Sequence, residues 1–199
     1  MFNLRKAIVV TVGAAVALAT PGAMASADAK ATNQRLVLKS GTTSLALASA
    51  TAKALSANGI KVAPASEARV TKRGISFPIT GGLINPETLA GTISHAGGLT
   101  FTAGGKSLTI RGFFISTVTG KLSAYADEVG GRLRVLNLDV SKVKVFSSST
   151  IVRVLNVKAT LNAAAAKALN GYFGTKLFKS GLAIGTARVD ANYRVVTTH

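Results

Sequence analysis

The chain has 199 residues, no cysteine and no tryptophan, and carries 24 basic against 7 acidic side chains, a formal charge of +17. The missing thiol excludes cysteine catalysis, iron–sulfur clusters, Cys-based zinc sites and disulfide stapling, so packing and sheet hydrogen bonds must hold the fold together. The charge favours polyanionic partners, whereas the few aromatics do not interleave with the basic residues as a sequence-specific nucleic-acid reader would require.

Arg5 and Lys6 precede an apolar run from Ala7 to Leu18, and Pro21-Gly22 then breaks it, which is the pattern of a secretory signal peptide. Ala23-Met24-Ala25 and Ala25-Ser26-Ala27 are overlapping small-x-small sites, so cleavage is expected after Ala25 or Ala27. Residues 28–199 are then expected to form one secreted or cell-surface domain. The apolar run is shorter than the roughly 20 residues needed to span a bilayer, which favours cleavage over an uncleaved anchor. Removing Arg5 and Lys6 lowers the basic count from 24 to 22 against 7 acidic residues, a formal charge of +15. Outside a cell, the polyanions that fit are wall teichoic acids, anionic lipid head groups and acidic polysaccharides. The alternative is that the charge only keeps the domain soluble, since the basic residues never form a run of four.

Arg35 to Lys39 predicts a short strand. Thr42 to Ala57 is rich in alanine and leucine, offers Thr42 or Thr43 as N-cap and ends at Asn58-Gly59, so it predicts a helix with Leu45, Ala48, Ala52 and Leu55 on its packed stripe. Ile60 to Ala63 and Ala68 to Thr80 predict strands, the second with Val70, Ile75, Phe77 and Ile79 inward. Gly91 to His95 is expected to turn at Ala96-Gly97-Gly98 into Leu99 to Thr102, and a second turn at Gly104-Gly105 leads into Lys106 to Ser116. Lys121 to Glu128 and Arg132 to Asp139 form a hairpin around Gly130-Gly131. The apolar phase slips from Leu133 and Val135 to Leu136 and Leu138, which marks a bulge. Val143, Val145 and Ile151 to Ala159 supply further strands. Leu161 to Phe173 predicts a second helix with Asn162 as N-cap and an end near Asn170-Gly171. In Thr186 to Val196, Ala187, Val189, Ala191, Tyr193 and Val195 alternate with polar residues, a strand with one buried face. These elements predict a mainly β protein, an antiparallel β-sandwich or barrel-like domain with two short peripheral α-helices.

No catalytic constellation emerges. Asp127 and Glu128 are adjacent and on a strand would face opposite ways, no Gly-x-Ser-x-Gly occurs, and Gly105-Lys106-Ser107 lacks the glycine that a phosphate loop needs where Thr100 stands. A non-enzymatic domain is therefore expected. His95 shares a strand face with Ile93 beside a glycine pair where a ligand could approach. The competing reading, favoured because no second internal histidine exists, is a histidine that bonds a neighbouring carbonyl. Of the tyrosines, whose phenolates can bind ferric haem, Tyr193 lies on an apolar strand face, Tyr172 at the end of the second helix and Tyr125 outward.

Three segments, GTISHAGGLTF (Gly91 to Phe101), LRVLNLDVSKV (Leu133 to Val143) and ATLNAAAAKALNGYFGTKLFKSGLAIGTARV (Ala159 to Val189), together resemble the HtaA domain of bacterial surface haem-binding proteins. The resemblance implies a secreted β-rich fold and haem held by a hairpin histidine together with tyrosines from the early region and the closing loop. His95 matches the histidine. The chain has no tyrosine before Tyr125, and Phe178 stands nearest the closing-loop tyrosine, with Tyr172 one helical segment away. Two functional expectations result. The first is a secreted, envelope-associated binding domain whose basic surface takes anionic polymers or a membrane surface and needs no cofactor. The alternative is a haem-binding module using His95 with Tyr172 or Tyr193.

Overall fold

Alternating apolar runs joined by glycine-rich turns assemble into one antiparallel network. The computed structural model describes residues 33–198. The expected signal peptide, residues 1–27, and its cleavage sites lie outside them.

In chain order the elements are β1 (Asn33–Leu47), α1 (Ser49–Ala57), β2 (Lys61–Ala65), β3 (Arg69–Thr71), β4 (Gly74–Ile84), β5 (Gly91–His95), β6 (Gly98–Ala103) and β7 (Lys106–Ser116). They continue with β8 (Lys121–Ala126), a 3-10 turn at Asp127–Val129, β9 (Gly131–Asp139), β10 (Lys144–Ser147), β11 (Ile151–Leu161), α2 (Ala163–Phe173) and β12 (Ala183–Thr198). Neighbours run β7-β5-β4-β1-β12-β11-β9-β8, and β8 pairs back to β7, closing an eight-stranded barrel. Closure gives every strand of the ring a neighbour on both flanks, so the ring itself has no edge strand. Of the two architectures expected, the barrel is the one formed. Outside the ring, β6 continues the line of β5 along β7 and carries β2, while β10 continues the line of β9 along β11. The free edges carry Lys61 and Pro64 in β2 and Lys144 in β10, residues that discourage pairing with another chain.

Three sequence expectations are corrected. Thr42 to Leu47 belongs to β1, and only Ser49–Ala57 is helical. Thr43 pairs with Val189 on one side and Phe77 on the other, so two ladders of hydrogen bonds override the helix propensity of this segment. The N-cap of α1, Ala48, is extended and offers no side-chain cap. Ala68 to Thr80 is not one strand but the β3–β4 hairpin, and Val70 points to solvent at 71% exposure. Finally, β5 and β6 do not pair with each other: Ser94 lies opposite Phe114 and Gly98 opposite Arg111, so both run along β7. Between those pairs the three residues His95 to Gly97 face only Gly112 and Phe113, a bulge in place of a turn.

Other readings hold. Val135 is the extra residue of the β8–β9 bulge, because Leu122 faces Leu136 while Ser123 faces Arg134. Asn162 caps α2 by accepting from the Ala164 amide at 3.0 Å. That helix ends two residues beyond Asn170-Gly171, where Gly174 takes a left-handed φ of 65°.

The interior divides into two layers. One, covered by α1 and α2, gathers Leu45, Phe77, Leu108, Ile110, Phe113 and Leu169, with the Phe77 and Phe113 rings edge to face at 5.0 Å. The other gathers Leu36, Leu38, Ile79, Ile93, Ile115 and Tyr193. Burial of each large side chain is worth about 2 kcal/mol, and the two layers together replace the disulfides that the chain lacks.

Candidate functional site

His95 projects into the barrel with Ile93, is 5% exposed and stands between the two apolar layers. Its position follows from the bulge. Gly97 has a φ of +83°, and a side chain there would come within 2.5 Å of the Ala68 backbone nitrogen; the kink it allows turns the His95 ring towards β7. His95 Nδ1 lies 3.4 Å from the Phe113 carbonyl, and Nε2 lies 2.7 Å from the Thr43 hydroxyl on β1. A carbonyl can only accept, so Nδ1 carries the proton and donates to it, and Nε2 accepts from Thr43. Burial pushes the imidazole down to about 4, partly offset by the Phe113 carbonyl, which favours the charged form. At neutral pH, then, His95 is a neutral, doubly bonded core residue, as the less ligand-like of its two sequence readings anticipated.

Beside this pair is a cavity of about 110 Å³ lined by apolar side chains, among them Leu45, Phe77, Ile110, Phe113 and Leu136, together with the carbon face of His95. The two tyrosines named with His95 do not join it. The Tyr172 hydroxyl donates to the Ser107 carbonyl at 2.6 Å on the β6–β7 hairpin, where Lys106 also bonds the Tyr172 carbonyl. Tyr193 is buried, and its hydroxyl donates to the Ser148 carbonyl at 2.6 Å in the β10–β11 turn. The three side chains are thus anchored at three places, and ligand pockets for larger molecules run to roughly 300–1,000 Å³. As folded, the three do not converge on one position. Among the described residues no group of three or more His, Asp or Glu side chains converges on a metal position either.

The outer surface is where charge gathers. Among the described residues only Arg111, Arg153 and Arg188 form ion pairs, with Asp127 and Asp190. The Arg188 and Arg153 guanidiniums, Arg188 foremost, hold Asp190 down to about 2. On the outer face of β7, β8 and β9, the unpaired Arg132 lies 5.3 Å from the Phe114 ring and 5.8 Å from that of Tyr125, which is 47% exposed; Arg134 follows two residues along the same face. The β3–β4 hairpin adds Arg69, Lys72 and Arg73, all exposed. The sequence identified these residues as basic but not that sheet pairing would set Arg132 against two rings. It also missed Thr43, whose inward position was masked by the helical reading of its segment.

No protein-family model and no curated protein matches the chain. Its fold is similar to that of the C-terminal domain of HtaA from Corynebacterium glutamicum, with a TM-score of 0.61 and 15% identity over 79% of this chain and 99% of that domain. Another similar structure is that of the haem-binding protein HtaB from the same organism, at a TM-score of 0.46 and 10% identity over 83% of this chain and 100% of that one. The first of these carries the fold, and the distant resemblance to the HtaA domain holds at that level.

Proposed function

We propose that the chain is a secreted, non-enzymatic binding domain whose basic outer surface attaches it to anionic polymers of the cell envelope. The observation that carries this reading is the excess of exposed lysine and arginine without carboxylate partners, illustrated by Arg132 and Arg134 on β9 and by the β3–β4 hairpin. Charges of one sign left free on a rigid barrel raise the local concentration of polyanions and speed their capture. The rings of Phe114 and Tyr125 hold the Arg132 guanidinium in place, so less side-chain freedom is lost when it meets an anion. Export with cleavage after Ala25 or Ala27 belongs to the same reading, and the N-terminal mass of the exported chain tests it. Retention on isolated envelopes should fall steeply between low and high ionic strength, because surface charges are screened within about 10 Å at 0.1 M salt. Retention unchanged in high salt would refute surface attachment.

A second reading, haem capture through His95 with Tyr172 or Tyr193, is supported by the fold shared with the HtaA C-terminal domain. It requires the His95 ring to leave Thr43 and the barrel to open, because both ring nitrogens are engaged. Titration with haemin should then give a Soret shift that is lost in His95→Ala; a wild-type protein without a shift ends this reading.

A further inference from the structure

The layer boundary inside the barrel does more than seat His95. Its cavity, about 110 Å³, is walled by carbon from β1, β4, β7 and β9, and α1 closes over it through Thr51 and Leu55. Thr51 uses its hydroxyl on the Ala183 carbonyl, Thr43 uses its own on His95, and among the described residues every buried side-chain nitrogen or oxygen has a partner. The surface facing the cavity is apolar throughout, so a water molecule in this space would find no hydrogen-bonding partner. An apolar cavity of about 150 Å³ in another protein stays dry and takes up benzene or xenon for this reason. We infer that the barrel interior is a binding site for one small uncharged apolar molecule, of the size class of a single benzene ring or a short alkyl chain. Size sets the upper limit, since most of the wall comes from paired barrel strands, with α1, α2 and β6 among the elements that cover the rest. Polarity sets the other limit, since a ligand with a hydrogen-bonding group would leave it unpaired. The site is independent of the basic outer surface.

The test uses the purified secreted chain, with benzene and xenon as probes. Methyl carbon–proton NMR spectra should show saturable shifts confined to cavity residues such as Leu45, Ile110 and Leu136, and thermal unfolding should move upward with probe concentration. Phenol, similar in size but polar, and naphthalene, apolar but larger, should bind at least about tenfold more weakly than benzene. Ala159→Leu, which projects a larger side chain into the cavity from β11, should abolish the shifts. Wild-type spectra unchanged at saturating benzene, or shifts that persist undiminished in folded Ala159→Leu, would overturn the inference. If that variant does not fold, the ranking of the probes on wild type decides: equal affinity for benzene, phenol and naphthalene refutes a sized apolar site.

Discussion

Two glycine pairs six residues apart in the same sheet do opposite work. Gly104 and Gly105 are exposed, have φ values of +56° and +75°, and would meet nothing within 4 Å if they carried side chains; they form the two-residue turn of the β6–β7 hairpin. Gly97 and Gly98 are buried. A Cβ on Gly97 would press on the Ala68 backbone and one on Gly98 on the Ile110 carbonyl, and the chain bulges there but continues along β7 from β5 into β6. The first pair needs glycine for its dihedral angles alone, whereas the second needs it mainly for close approach of neighbouring backbone. Only the second positions a functional candidate, because the bulge it permits brings His95 to Phe113 and Thr43.

That contrast can be broken in order of expected effect. Gly97→Ala and Gly98→Ala should each cost about 3 kcal/mol or more in urea unfolding, since backbone rather than a flexible side chain must yield. A loss below about 1 kcal/mol would show that the seam is loose. Acidification comes next. His95 is held at about 4 in the fold against 6.5 in the unfolded chain, so the unfolded state binds the extra proton between those values. Stability present above pH 6.5 should fall as pH drops towards 4, by up to about 3 kcal/mol, and level off below. His95→Gln should remove this slope, and a wild-type profile flat over the same range would contradict the buried neutral imidazole. Thr43→Val leaves His95 Nε2 without its donor and should cost about 1–3 kcal/mol, with Thr43→Ser recovering most of the loss. Smallest is Gly105→Ala in the open turn, at about 1 kcal/mol from its positive φ alone. Equal costs at Gly97 and Gly105 would erase the distinction between the two pairs.

Much of the fold was legible because it depends on near neighbours. The alternation from Ala187 to Tyr193 places the inward face of β12, the Gly104-Gly105 and Gly130-Gly131 turns mark their hairpins, and Asn162 announces α2. Thr42 to Leu47 was misread because its local composition suits a helix, and only pairing on both sides makes it a strand. Similarly, the candidate site was half visible. His95 stands out as the single internal histidine, but its partner Thr43 is 52 residues away and carries no local sign of the contact.

By itself, then, the sequence determined the strand-rich class, the basic charge, the tight exposed turns and the inward side of most strands, all properties set by composition or by residues a few positions apart. Tertiary structure alone decided that the sheet closes on itself, that Gly97-Gly98 is a kink and not a turn, that His95 is consumed by core hydrogen bonds, and that a cavity remains beside it. Each of these depends on which distant strand supplies the neighbouring backbone. Local dihedral preferences do not encode that choice, because antiparallel pairing is stabilised by contacts that form only when the barrel does.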